Sequence, residues 1–303
     1  MRPGGGRRRD ALRRLAALLA TALVAACVSI PPAPRALVLQ ADGAVAAAEL
    51  ACAPDSPPGA PKDARGPAGA LDPLALRVAA WNVHKEADPG WDDDLARLAA
   101  ANDVLLLQEV ELTPAVRRVV EGAGMRWVMA SSWLGGDLDQ GVLTAARAAP
   151  LATCTQRVAE PLLRLPKSAL VSWFALEGIA DTLAVVNVHA VNFTLTLDAY
   201  REQLGMLARQ LHAHRGPIVF AGDFNTWNEA RATALEETAA ALGLAAVAFG
   251  DDRRTVFLGR QVDHIYVRGL AVLGAAAIEV TSSDHNPLTA VLRVVPGKGA
   301  PSP

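Results

Sequence analysis

Ile218-Val219-Phe220-Ala221-Gly222-Asp223-Phe224-Asn225 sets four apolar residues directly before a glycine, a carboxylate and an amide. The apolar run lies between Gly216-Pro217 and Gly222, so it reads as a short, fully buried strand. A strand apolar on both faces needs both faces covered. The polar residues after it stand at the strand end, where a rigid core can hold side chains in fixed geometry at the surface. Taken alone, Gly222-Asp223-Phe224-Asn225 reads equally well as a tight turn leading into a helix.

Outward from this stretch the pattern stays regular. Residues 197–214 form an amphipathic helix with Tyr200, Leu204, Leu207 and Leu211 on one face, stopped by Gly216-Pro217. Residues 229–242 read as a helix, as do 92–101, opened by acids. A further helix starts at Thr113-Pro114, with proline in the first turn. Strands are expected over 76–82, 103–110, 141–146, 169–176, 183–189, 262–267 and 288–294. Some of these follow one another with no helix between them. That excludes a doubly wound parallel sheet and points to an α+β fold of two stacked mixed sheets with outer helices.

Polar residues recur at the ends of these strands. Asn82 ends the first, with His84 and Lys85 beyond it. Gln108 and Glu109 end the second, and Asn187 and His189 another, followed by Asn192. Asp263 and His264 lie in Gln261-Val262-Asp263-His264-Ile265, and Asp284-His285-Asn286 precede the last strand. Each has an ordinary reading: a turn residue, a solvated acid, a cap or a satisfied histidine, and His264 is read in that last way. Six strand ends carrying suitable residue types together are hard to ascribe to chance.

Trp-Asn-Val-His-Lys (81–85), Leu-Gln-Glu-Val (107–110), Asn-Val-His (187–189), Gly-Asp-Phe-Asn (222–225), Val-Asp-His-Ile (262–265) and Ser-Asp-His-Asn-Pro (283–287) resemble the endonuclease/exonuclease/phosphatase superfamily in kind and order. The resemblance covers about residues 76–294. Leu-Pro-Lys-Ser-Ala-Leu (165–170) and Asn-Val-His-Ala-Val-Asn-Phe (187–193) look like a little-characterised bacterial branch of it. It implies a four-layer αββα sandwich, the deoxyribonuclease I-like fold, with its site at one edge of the paired sheets.

The resemblance further implies a metal-dependent hydrolase of phosphodiesters. Such chemistry needs charge neutralisation on phosphoryl oxygens, an activated water and leaving-group stabilisation. Glu109 would be the main metal carboxylate, with Asn82 and Asp284 close to the ion; oxygen donors suit a hard cation, Mg²⁺ or Mn²⁺. Asp223 and Asn225 would orient the attacking water and hold the scissile phosphate. His285 would contact a phosphoryl oxygen, as a protonated donor or a general base, and His189 would face the leaving oxygen. Asp263 would orient a histidine and tune it. The deoxyribonuclease branch places a glutamate behind the histidine matching His189. No clear counterpart exists here, and Asp139 or Gln140 are the substitutes at hand. The substrate would be nucleic acid, with a phospholipid diester as the alternative; a non-catalytic envelope protein that kept the fold is a third reading. A monomer is expected.

At 303 residues and 51% apolar, the chain can bury a large core. Residues 1–14 hold six arginines and one acid and precede an apolar run from Leu15 to Ala26 that is too short to span a bilayer. Val24-Ala25-Ala26-Cys27 resembles a lipoprotein processing box, with Cys27 lipidated as the mature N-terminus on the periplasmic side of a membrane. An ordinary cleavable signal is the alternative. Without residues 1–26 the net charge falls from −2 to −7, which excludes a broadly basic footprint for wrapping duplex DNA. Residues 28–72, rich in Pro, Ala and Gly, read as a linker, 73–296 as the folded domain and 297–303 as a tail. Outside the cytoplasm Cys52 and Cys154 are either free or bridged, and neither has zinc-ligand spacing.

Overall fold

A computed structural model describes residues 28–52, 69–162, 164–194 and 196–295. The expected signal segment, Cys27 and the 297–303 tail lie outside the described residues. Seven strands come first in the chain: β1 (Val28–Ser29), β2 (Arg35–Leu39), β3 (Val45–Glu49), β4 (Leu76–Asn82), β5 (Val104–Glu111), β6 (Arg126–Gly135) and β7 (Leu138–Ala146). β8 (Ala152–Ala159), β9 (Pro166–Leu176), β10 (Ile179–His189), β11 (Ile218–Asp223) and β12 (Ala245–Ala246) follow. A two-stranded ribbon, β13 (Val256–Phe257) and β14 (Arg260–Gln261), precedes β15 (Asp263–Arg268), β16 (Leu270–Ala277) and β17 (Leu288–Val294). Helices α1 (Trp91–Ala101) and α2 (Pro114–Gly122) fall among the early strands, α3 (Asp198–Leu211) and α4 (Glu229–Ala241) among the later ones.

The strands form two mixed sheets. One runs β16-β17-β4-β5-β7-β6-β2-β3, with β1 also paired to β6, and the other runs β12-β15-β11-β10-β9-β8. Strand side chains alternate between faces, and the apolar clusters follow that alternation. Val78, Ala80, Val104 and Leu106 of the first sheet meet Phe174, Val185, Val219, Ala221 and Ile265 of the second. The intervening Ala79, Trp81, Leu105 and Leu107 point outward to Leu95, Leu98, Val116 and Val120 of α1 and α2. Likewise Val186, Val188 and Phe220 point outward to Tyr200, Leu204, Leu207 and Leu235 of α3 and α4. Three apolar layers between four structural layers make the expected αββα sandwich. The helix starts obey capping chemistry, Thr113 accepting from Val116 N at 3.2 Å and Asn228 from Arg231 N at 2.9 Å.

One expectation needs correction. Residues 28–52 are not linker: β2 and β3 form a hairpin that extends the first sheet beyond β6, and Ala36 is fully buried. Cys52 is then bonded to Cys154 of β8, tying this hairpin to the second sheet. Strands β6, β8 and β16 were also not expected. Among the described residues no helix is long and apolar enough to cross a membrane.

Candidate active site

Both sheets end at one edge in a pocket of about 350 Å³ lined by Asn82, Glu109, His189, Asp223, Asn225, Asp284 and His285, among others. Seven of the eight residues singled out from the sequence therefore share one cavity. The eighth, Asp263, stands behind His285, whose Nδ1–H donates to its Oδ2 at 2.8 Å.

Backbone irregularities aim these side chains. β5 is bulged between Leu107 and Val110, and Glu109 adopts a left-handed φ of 52°. A bulge re-aims the residue it carries, here turning Glu109 to the strand-end pocket. Gly222 has φ 139°, and a Cβ there would meet Val188 O at 2.0 Å, so β10 and β11 can approach only with glycine at this position. Asn225, with φ 51°, then folds back so that its N–H donates to Asp223 Oδ1 at 2.9 Å.

Asp223 is the hub. Its Oδ2 accepts from Asn82 Nδ2 at 3.1 Å and lies 3.4 Å from His189 Nε2. Asn225 Nδ2 also donates to Ala190 O at 3.0 Å, which fixes the amide against the end of β10. Burial pushes the Asp223 carboxyl up, opposed by the charges of His285 and His189. Burial also pulls His285 down, but the Asp263 charge and hydrogen bond outweigh it and raise the ring to about 10, so it stands as an imidazolium. Its carbonyl is anchored by Trp81 Nε1 at 2.9 Å.

His189 is the opposite case. Burial, with the Lys167 charge, lowers it to about 4. Lys167 Nζ lies 3.0 Å from His189 Nε2. An ammonium has no acceptor lone pair, so Nε2 is the acceptor and the ring proton sits on Nδ1. Neither suggested partner backs this histidine. Asp139 accepts from Ser131 Oγ at 2.6 Å and pairs with Arg35, while Gln140 Nε2 donates to Glu111.

Glu109 is the carboxylate built for a cation. Burial raises it, yet His189, Lys167 and Lys85 outweigh burial and hold it at about 2. Lys85 Nζ sits 3.1 Å from Oε2 and Lys167 Nζ 3.4 Å from Oε1. Asn82 and Asp284, the latter 60% exposed at its side chain, add oxygen donors to the same cavity. An ionised carboxylate already holding cations, beside an amide and a second carboxylate, fits a hard divalent ion. Donor atoms of Asp223, Asp263 and His285 also lie within 4.8 Å of one another. There, however, His285 Nδ1 is already engaged by Asp263, and a nitrogen in the set suits Mg²⁺ less well.

Some polar strand-end residues serve the scaffold instead. Asn187 is buried between the sheets, accepting from Gln108 Nε2 at 2.7 Å and donating to Leu107 O and Leu143 O at 3.1 and 3.0 Å. His264 is satisfied between Thr226 Oγ1 at 2.7 Å and Arg254, as expected. Three participants were missed. Lys85 and Lys167 lie inside motifs already quoted, but lysines are ordinarily surface residues. Arg231 of α4 gives no sequence signal. Its buried guanidinium donates to Val191 O at 2.7 Å and Asn225 O at 3.3 Å and lies over the rings of Tyr200 and Trp227, bracing the loops around His189 and Asn225.

The sequence model of the Endonuclease/Exonuclease/phosphatase family matches residues 79–285. The chain is 40% identical over 235 residues to a UPF0294 protein of Yersinia pestis, covering 76% of this chain and 90% of that protein. It is 39% identical over 222 residues to a UPF0294 protein of Vibrio campbellii, covering 70% and 76%. In fold it is similar to the human Nocturnin catalytic domain (TM-score 0.58, 16% identity, 75% of this chain and 96% of that one). It is also similar to a mannosyl-6-phosphatase of Bacteroides thetaiotaomicron (TM-score 0.57, 16% identity, 72% and 99%). With the motifs, the sandwich and the strand-end pocket, these matches establish that the chain belongs to the Endonuclease/Exonuclease/phosphatase family.

Proposed function

We propose that this protein is a Mg²⁺- or Mn²⁺-dependent phosphodiesterase that acts outside the cytoplasm on nucleic-acid phosphodiesters. The observation that carries this reading is the meeting, in one pocket, of an ionised Glu109, a buried Asp223 and a charged His285. Glu109, Asn82 and Asp284 would hold the ion, which when bound neutralises phosphoryl charge and polarises the ester. Asp223, made more basic by burial, orients the attacking water and takes its proton, while Asn82 and Asn225 fix the carboxylate. His285, backed by Asp263, donates to a phosphoryl oxygen as charge develops there. His189 and Lys167 lie on the Glu109 side of the pocket, where they would face the leaving oxygen.

A phospholipid diester is the second reading. Phe193, 51% exposed on the pocket lining, and Val256, Phe257 and Leu258, exposed on the ribbon leading to Asp263, favour it. Export and a lipid anchor at Cys27 are supported by the leader-like residues 1–26, and the Cys52–Cys154 bond fits an oxidising compartment. The test is hydrolysis of bis-p-nitrophenyl phosphate with Mg²⁺ or Mn²⁺. Turnover is expected, EDTA should abolish it, and added metal should restore it. DNA, RNA, sphingomyelin and phosphoinositide then separate the two substrate classes. No turnover on any of these with either metal would sink the enzymatic reading.

A further inference from the structure

His84, Lys85 and Glu86 have φ values of 48°, 56° and 52°. This is a left-handed turn of three residues that all carry a Cβ. Such backbone is costly for each of them and persists only where the surroundings over-determine it. Here they do. Both Glu86 carboxylate oxygens accept from Glu111 N, at 3.2 and 3.3 Å. Asn82 Oδ1 accepts from His84 N at 3.1 Å, and Val83 N donates to Gln108 O at 3.0 Å. The product of this bracing is the position of Lys85, whose half-exposed side chain brings Nζ to Glu109 Oε2 at 3.1 Å.

Lys167 reaches the same carboxylate from the other sheet, where it follows Pro166 at the start of β9. Each Glu109 oxygen thus has its own ammonium, and Lys167 additionally lies 3.0 Å from His189 Nε2. A divalent cation held by Glu109 and Asp284 would, with both ammonium groups, set four positive charges against the two negative charges of those carboxylates. Like charges at that spacing repel, so the ammonium groups need another anion within reach. The phosphoryl oxygens of a bound diester are such an anion, and Lys85, Lys167 and Glu109 all line the pocket that would receive it.

We propose that Lys85 and Lys167 are the phosphate-binding residues of this site. They hold Glu109 until a divalent cation takes it, and then pair with phosphoryl oxygens. Glu86 is the positioning residue that keeps the left-handed turn, and with it Lys85, in place. The proposal rests on the phosphodiesterase reading above and adds the anion-binding half of the site to it.

The experiment compares the full chain with K85M, K167M, E86A and E86Q. Mn²⁺ binding is read from the paramagnetic resonance signal of the free ion, and inorganic phosphate binding by calorimetry at saturating Mn²⁺. K85M and K167M should each bind Mn²⁺ more tightly, because a competing cation is gone. Each should bind phosphate at least ~10-fold more weakly, the scale of a lost charge-assisted contact. E86A should reproduce the phosphate loss of K85M and add nothing to it in the double variant, whereas E86Q, whose amide oxygen still accepts from Glu111 N, should retain most binding. A purely structural Glu86 would lower stability without that non-additivity. Unchanged phosphate affinity in both lysine variants, or weakened Mn²⁺ binding, overturns the proposal. Should K167M fail to fold, K85M carries the test alone. A wild-type chain that neither binds Mn²⁺ nor hydrolyses bis-p-nitrophenyl phosphate removes the phosphodiesterase reading itself. Wild-type turnover with indifferent lysine variants removes only this inference.

Discussion

Asp223 shares its two oxygens among the side chains of Asn82 and Asn225 and the backbone N–H of Asn225, with His189 close by. A buried carboxylate so surrounded is held in one orientation, as a proton acceptor for an oriented water must be. His285 is fixed as firmly by Asp263 Oδ2 on one side and by Trp81 through its carbonyl on the other. In the proposed reaction, removing either group would take away a role that no neighbour replaces. Asp223→Ala and His285→Ala should therefore each lower kcat/KM for bis-p-nitrophenyl phosphate by at least ~2 orders of magnitude, the scale of a lost acid/base or electrostatic group. Steady-state kinetics on folded protein checks this, and near wild-type rates in both variants would mean that the chemistry lies elsewhere. The choice of these two residues needed only the motifs. Lys85 and Lys167 needed the fold, because their meeting at Glu109 joins a turn after β4 to the first residues of β9, and nothing local to either lysine announces it.

The elements divide in the same way. β4 and β17 match their sequence expectation at both ends, since each is a largely apolar run, closed by Asn82 in β4 and set off by Pro287 and Pro296 around β17. β3 (Val-Ala-Ala-Ala-Glu) and β16 (Leu-Ala-Val-Leu-Gly-Ala-Ala-Ala) carry no alternation, and alanine favours helix when isolated. They are strands because a neighbouring strand offers them an edge, a long-range fact. The bulge that turns Glu109 is equally hidden, for Leu-Leu-Leu-Gln-Glu-Val reads straight through it. Outside the sheet edge the N-terminal hairpin has one covalent tie, Cys52–Cys154, which closes a sequence separation of 102 residues. Loops of that size lose substantial closure entropy in the unfolded chain, and loss of a native disulfide costs about 2–5 kcal/mol. Replacing both cysteines by alanine should lower the unfolding free energy by about that amount in urea titrations. Amide exchange should rise first in β2 and β3, whose strand pairing with the rest of the fold, among the described residues, runs along β6. Uniform exchange across the hairpin and the central strands would show that the bond is not what fastens this edge.

Folding also sets the charge state of groups far apart in the molecule, and this gives its stability a definite pH profile. Burial, with the Arg254 charge, lowers His264 to about 4, and burial likewise lowers His214. Unfolded histidines protonate near ~6.5. Below that value the unfolded chain binds protons that these two refuse in the fold, so their contribution is complete above about pH 6.5 and is lost as pH falls below it, for His264 until about 4. Two other groups run the opposite way. His285, raised to about 10 by Asp263 in spite of its burial, contributes fully below ~6.5 and loses that contribution as pH rises toward 10. Glu86, raised by burial to about 8, opposes folding increasingly as pH climbs from its ordinary 4.5 toward 8. Stability should therefore decline on the alkaline side through His285 and Glu86, and on the acid side through His264 and His214. His264→Asn isolates one limb. Between pH 7 and pH 5 the wild-type histidine alone accounts for a loss of up to about 2 kcal/mol, which the asparagine variant cannot show. Urea unfolding of both proteins at the two pH values measures the difference in slope, which is insensitive to the constant cost of losing the Thr226 contact. Parallel profiles would mean that His264 takes up its proton inside the fold, and that the Phe224, Tyr266 and Arg254 surroundings do not exclude charge there.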